Sequence, residues 1–409
     1  QGTVDFQLGQ HVVDHLLSGL GKALSSEKSQ DKAKSEQNWR QWVSSAMGAG
    51  VGWAHRWTKD AQQWAPAGAE HEGVWPGKPT HLLAAENQRL ERLWKSSPDA
   101  PKPHLPAPLN EQLPIPTPAQ LRAALSTFSV STAETFDGLH PSHFKLLDDP
   151  HLEVLGLLLS CCELLGNWPY QLQAILCALI PKHKPGLQQA AYRSIGLLPC
   201  LYRIWAKLRV SLVREWEATI NSPMLLHQKS RSILETVWLQ LATAESTKAK
   251  GVEVHSAAVM VDLSNYYENI SRESLKGKCR DLHFPSALLP LILNMYHSRR
   301  FIQLTGLARK SLFTTRGIPA GCTFATYLVQ AFAYQAVVQW QSAFPRMPLG
   351  MFIDDLLIRL TASTHSEVLS RMVPAALALK SMIESELGCT LAIHKTAFVA
   401  SDVKLQAKL

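Results

Sequence analysis

Three aspartates carry the clearest chemical possibility in this sequence. Asp354 and Asp355 sit side by side between two apolar runs, 350–353 and 356–360, and Asp262 ends a third, 257–261. Two apolar runs around a short acidic turn predict a hairpin, with both flanking strands buried and both carboxylates at its tip. A carboxylate at the end of a buried strand is costly unless it is paired or bound to a cation. Three of them on neighbouring strands would offer hard oxygen ligands to Mg²⁺ or Mn²⁺. Two such ions roughly 3.5–4 Å apart activate a hydroxyl and stabilise a leaving pyrophosphate. Taken alone, Asp354-Asp355 favours an ordinary turn, because Asp bonds readily to its own backbone. The order of the surrounding segments decides the matter.

The elements that would position these carboxylates alternate between helix and strand. Thr117, Pro118 and Gln120 predict a capped helix start, with the helix running through Leu125. Apolar helices are expected over 152–165, 197–218, 235–244 and 323–340. A strand is expected over 252–263, and a helix from Ser271. Residues 301–304 and 311–314 are expected to pair as a hairpin through Gly306. A helix over 367–387 should kink or break at Pro374. The expected fold class is α+β.

The chain has 409 residues, 46% of them apolar, and a net charge of +8. That is enough for a large core, and the mild positive excess suits an anionic partner. No stretch reaches the ~18–20 apolar residues of a membrane helix, so no membrane partner is expected. Seven cysteines without CxxC or Cys/His ligand spacing fit free thiols in a reducing compartment. Cys161 and Cys162 fall in an apolar run and are expected in the core. His140 and His143, three apart with no further ligand nearby, favour a structural role over metal binding.

Seven of the twelve tryptophans lie before residue 95, and eight of the 24 prolines lie in 98–118. Residues 1–110 are therefore expected to be an extension and linker, and 111–409 the main body. The tryptophans could stack on bases; anchoring the extension to the body is the favoured alternative.

From 114 to 400 the chain resembles the reverse transcriptases of non-LTR, LINE-type retrotransposons. Residues 133–145 (AETFDGLHPSHFK) resemble the segment that opens the polymerase, and 179–184 with 192–198 (LIPKHK, YRSIGLL) resemble its fingers motif. Residues 259–270 (VMVDLSNYYENI) resemble the first palm motif, 316–326 (RGIPAGCTFAT) the nucleotide-contacting loop, and 352–355 (FIDD) the Tyr-x-Asp-Asp turn. His394-Lys395-Thr396 matches a later motif. The resemblance implies a right-hand polymerase with mostly helical fingers and an antiparallel palm sheet. The family's thumb lies beyond Leu409, so it is expected to be absent from this chain.

The same resemblance assigns roles. Asp262, Asp354 and Asp355 would hold Mg²⁺ or Mn²⁺. Lys182 and Arg193 would grip the triphosphate, Tyr267 would exclude a ribose 2′-hydroxyl, and Gly317, Ala320 and Gly321 would contact the nucleotide. Lys395 would protonate the leaving pyrophosphate. Partners would be an RNA template, a DNA primer or target and dNTPs, in the nucleus. Ala320 stands where the family has Gln, Ala325 where it has Ser, and Ser194 where it has Pro. An inactive nucleic-acid-binding remnant is one alternative. An RNA-directed RNA polymerase is another, disfavoured because Tyr266 and Tyr267 occupy the positions of a ribose-selecting Asp. Arg299, Arg300, Arg309, Lys310 and Arg316 could contact template or primer phosphates, or form a solvated face.

Overall fold

The computed structural model describes residues 79–95, 112–181, 192–226, 254–304 and 307–408, with scattered positions over 29–41 and 228–249. Contacts divide the chain into two compact units, 1–69 and 70–409. The elements that follow belong to the second.

Helices α1 (Pro79–Trp94), α2 (Pro118–Ser126), α3 (Pro141–Phe144) and α4 (Asp149–Leu165) precede strands β1 (Ala174–Pro181) and β2 (Tyr192–Leu197). Then come α5 (Cys200–Thr219), β3 (His255–Ser264), α6 (Tyr266–Asn269), α7 (Arg272–Asp281) and α8 (Leu289–Tyr296). Strands β4 (Arg299–Leu304) and β5 (Leu307–Ala308), helix α9 (Ala325–Ala343), strands β6 (Leu349–Phe352) and β7 (Asp355–Ala362) and helix α10 (His365–Ser381) follow. The last elements are β8 (Thr390–Leu391), β9 (Ala397–Ala400) and α11 (Val403–Gln406).

The strands form two sheets. One runs β2-β1-β4-β5, with β1 and β4 parallel. The other runs β6-β7-β3-β8, with β9 also on β3, and every pair in it is antiparallel. This is an α+β fold. The region expected to be mostly helical fingers carries a four-stranded sheet as well, because the β-rich segments 174–181 and 192–197 pair directly.

The antiparallel sheet is one-sided. Ala257, Val259 and Val261 of β3 and Leu356, Ile358 and Leu360 of β7 are buried. Met260, by contrast, is 44% exposed. A strand turns alternate side chains to opposite faces, so the even-numbered positions of β3 lie on the other face, where Asp262 is nonetheless buried, at 9% exposure, beneath Lys395. Both flanking strands of the acidic turn are thus buried, as expected, each through one face. Helix α10 packs on β3 and β7, and beside it lies α9, apolar nearly all round. Helix α9 is held by Gln330 on Glu217 of α5 (2.7 Å), by Lys278 of α7 on the Phe332 carbonyl (2.7 Å), and by Trp340 on the Ala375 carbonyl of α10 (3.3 Å).

Local signals shape the helices. Thr117 and Gln120 form a complete capping box with Pro118 at the first position. Glu163, which interrupts the apolar run of α4, is buried and paired with Arg209 at 2.7 Å, while Trp205 Nε1 donates to it at 2.6 Å. α10 continues through Pro374 to Ser381 and opens into a π turn, Met382–Glu386, so its irregularity falls later than expected. Three further expectations change. β4 pairs with Leu307–Ala308, and Leu312 makes only a lone bridge to Arg300. Cys161 is exposed while Cys162 is buried. The helix expected over 235–244 lies largely outside the described residues.

Candidate active site

The three aspartates converge at one end of the antiparallel sheet. Asp262 of β3 and Asp355 of β7 are direct cross-strand partners. Asp354 occupies the two-residue turn between β6 and β7, and its carbonyl accepts the Leu263 N–H at 3.0 Å. Ile353 takes φ +59, the left-handed region, while Asp354 does not. That is the pattern of a type II′ hairpin turn, whose first position usually needs Gly. A β-branched residue there costs about 1–2 kcal/mol. The packed strands on either side hold the turn in place, which aims both carboxylates at Asp262.

The charges of the site oppose one another. Burial pushes the Asp354 carboxyl above its ordinary range; its own backbone N–H opposes this, and Asp355 and Asp262 raise it further. Asp355 is raised by burial and then by Asp262. Lys395 supplies the cation present: its ammonium bonds the Asp262 carboxylate and lowers both other groups. Lys395 is delivered by β8, which pairs with Leu263 and Ser264, and by the Ala392 N–H, which bonds the Asp262 carbonyl at 2.8 Å. Carboxylates this close, partly desolvated and with one lysine among them, are a donor set suited to a hard divalent cation. Asp262, Asp354 and Asp355 could hold it.

Tyr267 stands beside this cluster on α6. Burial lifts its phenol to about 12, and the Asp354 carboxylate adds to the shift, so it stays neutral. Loop 316–321 passes along the same side. The Gly317 N–H bonds the Ile270 carbonyl at 2.8 Å, and the Ile318 N–H bonds Tyr267 at 2.9 Å. A Cβ on Gly317 (φ +79) would lie 2.9 Å from the Glu268 oxygen, and one on Gly321 (φ +106) 2.8 Å from the Gly196 oxygen. Only glycine permits both approaches. The Ala320 carbonyl accepts the Gly196 N–H at 2.6 Å, so the loop ties β2 to α6. Arg193 is exposed on β2, three residues before Gly196. Lys182 lies outside the described residues.

Two buried arginines support the loop from behind, and the sequence did not reveal their role. Arg272 Nε and Arg300 Nη2 each donate to the Gly317 carbonyl at 2.9 Å. Arg272 also reaches the Thr314 and Arg316 carbonyls, at 3.0 and 2.8 Å. Arg300 is 1% exposed, so it belongs to this frame and not to a phosphate-binding surface. Its guanidinium lies 4.5 Å over the Trp94 ring. The Trp94 carbonyl, at the end of α1, accepts the N–H groups of Thr315 and Arg316 at 2.9 and 3.1 Å. Trp94 is therefore an anchor, not a ring free to stack on bases.

Asp137, in the segment expected to open the polymerase, is a clasp. Its carboxylate accepts the Cys200 N–H at the start of α5 (2.9 Å), where Pro199 offers no side-chain cap. His140 and His143 cap α3 and have the structural role expected of them.

A family model described as "Reverse transcriptase (RNA-dependent DNA polymerase)" matches residues 180–406. Among solved structures, the chain is similar to an apo telomerase from Candida tropicalis truncated from its C-terminal domain. That match has 14% identity and a TM-score of 0.39, over 56% of this chain and 50% of that one. A telomerase from Candida tropicalis in complex with the TWJ fragment of telomeric RNA matches at 12% identity and a TM-score of 0.41, over 58% and 42% of the two chains. The corresponding Candida albicans complex matches at 10% identity and 0.40, over 57% and 43%. The chain spans half or less of each. No curated protein matches it.

Proposed function

The chain belongs to the reverse transcriptase (RNA-dependent DNA polymerase) family, and from that premise we propose that it is the fingers-and-palm core of a non-LTR, LINE-type retrotransposon polymerase. Its reaction would be RNA-templated addition of deoxynucleotides to a DNA 3′ end. The polymerase unit would run from residue 111, with 1–110 as an extension whose α1 docks onto it. The observation that carries the reading is the meeting of Asp262, Asp354 and Asp355 at one strand end, with Lys395 on Asp262.

Divalent magnesium or manganese, held by these three aspartates, would supply the charge neutralisation and hydroxyl activation that nucleotidyl transfer requires. Arg193 and Lys182 would bind the triphosphate, Arg as a planar fork and Lys as a point charge. Tyr267, neutral and wedged beside Asp354, would fill the space a ribose 2′-hydroxyl needs. Gly317, Ala320 and Gly321 would present loop backbone to the nucleotide. Lys395, once drawn off Asp262, would donate a proton to the leaving pyrophosphate. The duplex partners would be an RNA template and a DNA primer at a nicked genomic target, which implies a nuclear site of action. Among the described residues no helix is long and apolar enough to cross a membrane.

The test is extension of a DNA primer on an RNA template with dNTPs or rNTPs in Mg²⁺ or Mn²⁺, beside Asp354→Asn. Extension with dNTPs that vanishes in the variant supports the proposal. Folded protein that binds primer–template without extending it would replace it with the inactive-remnant reading. A preference for rNTPs would point to an RNA polymerase.

A further inference from the structure

Away from the aspartates, at the opposite end of β3, two histidines meet a fourth carboxylate. His255 opens β3, His365 is the first residue of α10, and Asp402 precedes α11. His365 Nε2 lies 2.9 Å from Asp402 Oδ2, and His255 Nδ1 lies 3.3 Å from the same oxygen. The two rings are T-shaped, with centroids 4.1 Å apart. One donor atom from each residue falls within 4.8 Å of the other two.

We propose that His255, His365 and Asp402 form a binding site for zinc or a similar first-row divalent ion, separate from the polymerase carboxylates. The donor chemistry selects the class of ion. Two imidazoles and one carboxylate suit Zn²⁺ and its neighbours, whereas Mg²⁺ prefers oxygen ligands and water. Ligands at ~2.0–2.1 Å from a tetrahedral ion lie about 3.3 Å apart, close to the 2.9 and 3.3 Å of the two His–Asp402 pairs. The Asp402 carboxylate divides its two oxygens. Oδ1 accepts the Leu405 N–H at 2.9 Å as the cap of α11, which leaves Oδ2 to face both rings. Ser401 Oγ, 3.4 Å from Oδ2, or a water could complete a fourth position.

The three side chains are partly buried, at 20%, 23% and 35% exposure, so an ion can enter from solvent. The backbone beneath is already fixed. The Ser401 N–H bonds the Ser256 carbonyl at 2.9 Å, and the Ser256 N–H bonds Ser401 Oγ at 3.2 Å. An ion here would pin the β9–α11 segment and the start of α10 to β3. Seven rises along the strand carry the chain from His255 to Asp262, about 23 Å at ~3.3 Å per residue. The two sites therefore cannot share an ion.

The test uses the full chain, stripped of metal and titrated with Zn²⁺ and Co²⁺ in excess Mg²⁺. One equivalent should bind, with the intense visible absorption of four-coordinate Co²⁺ and a rise in melting temperature on Zn²⁺ addition. In His255→Gln/His365→Gln, affinity should fall at least about tenfold and the melting shift should disappear. Asp402→Asn should also weaken binding while keeping the α11 cap, since Asn caps as well as Asp. Failure of the folded chain to take up stoichiometric Zn²⁺ would overturn the proposal and leave a bare His–Asp–His clasp. Equal uptake by wild type and double variant would also overturn it and move the ion to the thiols, of which Cys161 is exposed.

Discussion

Asp262 and Asp355 face each other as Cα partners across β3 and β7, at the end of the antiparallel sheet that carries the acidic turn. Like charges directly opposed on neighbouring strands destabilise a sheet by up to roughly 1 kcal/mol. The fold accepts this pairing at the point where a cation is needed. Asp355→Asn should therefore leave the metal-free protein as stable as wild type, or slightly more so, while primer extension falls by about 10²-fold or more. Thermal melts in chelator beside extension assays check both halves. Loss of stability together with activity would mean the carboxylate is structural.

The raised carboxyl of Asp354 gives a pH signature in metal-free protein. Its folded pKa lies above the unfolded value, so in that window the folded state holds more protons than the unfolded one. Stability then falls as pH rises from the unfolded pKa through the raised folded one. Asp354→Asn removes this slope. In urea melts with chelator, the variant's advantage should be absent well below the ordinary carboxyl value of 3.8, grow as pH rises through the acid range, and level off above it.

Glycines 317 and 321 should resist the smallest substitution. Gly317→Ala and Gly321→Ala combine positive φ with contacts of 2.9 and 2.8 Å to backbone oxygens. Each should lower extension and raise the KM for dNTP. Gly277→Ala is the control: it lies within α7 with nothing within 4 Å of an added Cβ. It should stabilise the protein by about 0.5–1 kcal/mol and leave extension unchanged.

Trp94→Ala should cost about 3–5 kcal/mol, because the ring is 1% exposed and underlies Arg300. Denaturant unfolding measures the loss. Removal of α1 altogether should destabilise loop 314–317 as well, since the Trp94 carbonyl holds Thr315 and Arg316. Protection of those two amides in hydrogen exchange should drop.

Much of this architecture follows from neighbours in the sequence. The apolar run ending in Asp262, the acidic turn at 354–355, and the Thr117–Gln120 box are local patterns, and period and capping depend on residues a few positions apart. They placed β3, β6, β7 and α2 within a few residues of where they lie.

What the sequence left undecided was partnership over distance. Nothing near Arg300 distinguishes it from Arg299, yet one is buried against Trp94 and the other is exposed. Arg272 gave no signal at all, because its three carbonyl partners lie more than forty residues away. Lys395 was expected to serve a leaving group; its bond to Asp262 comes from β8 pairing with β3. His255, His365 and Asp402 are separated by 110 and 37 residues and meet only because β9 and α10 both pack on β3. The sequence by itself determined which residues face the core and where carboxylates end strands, since those choices are set by alternation and helical period. Only the tertiary structure decided which charged groups share one site, because that depends on strand order and on packing between elements far apart in the chain.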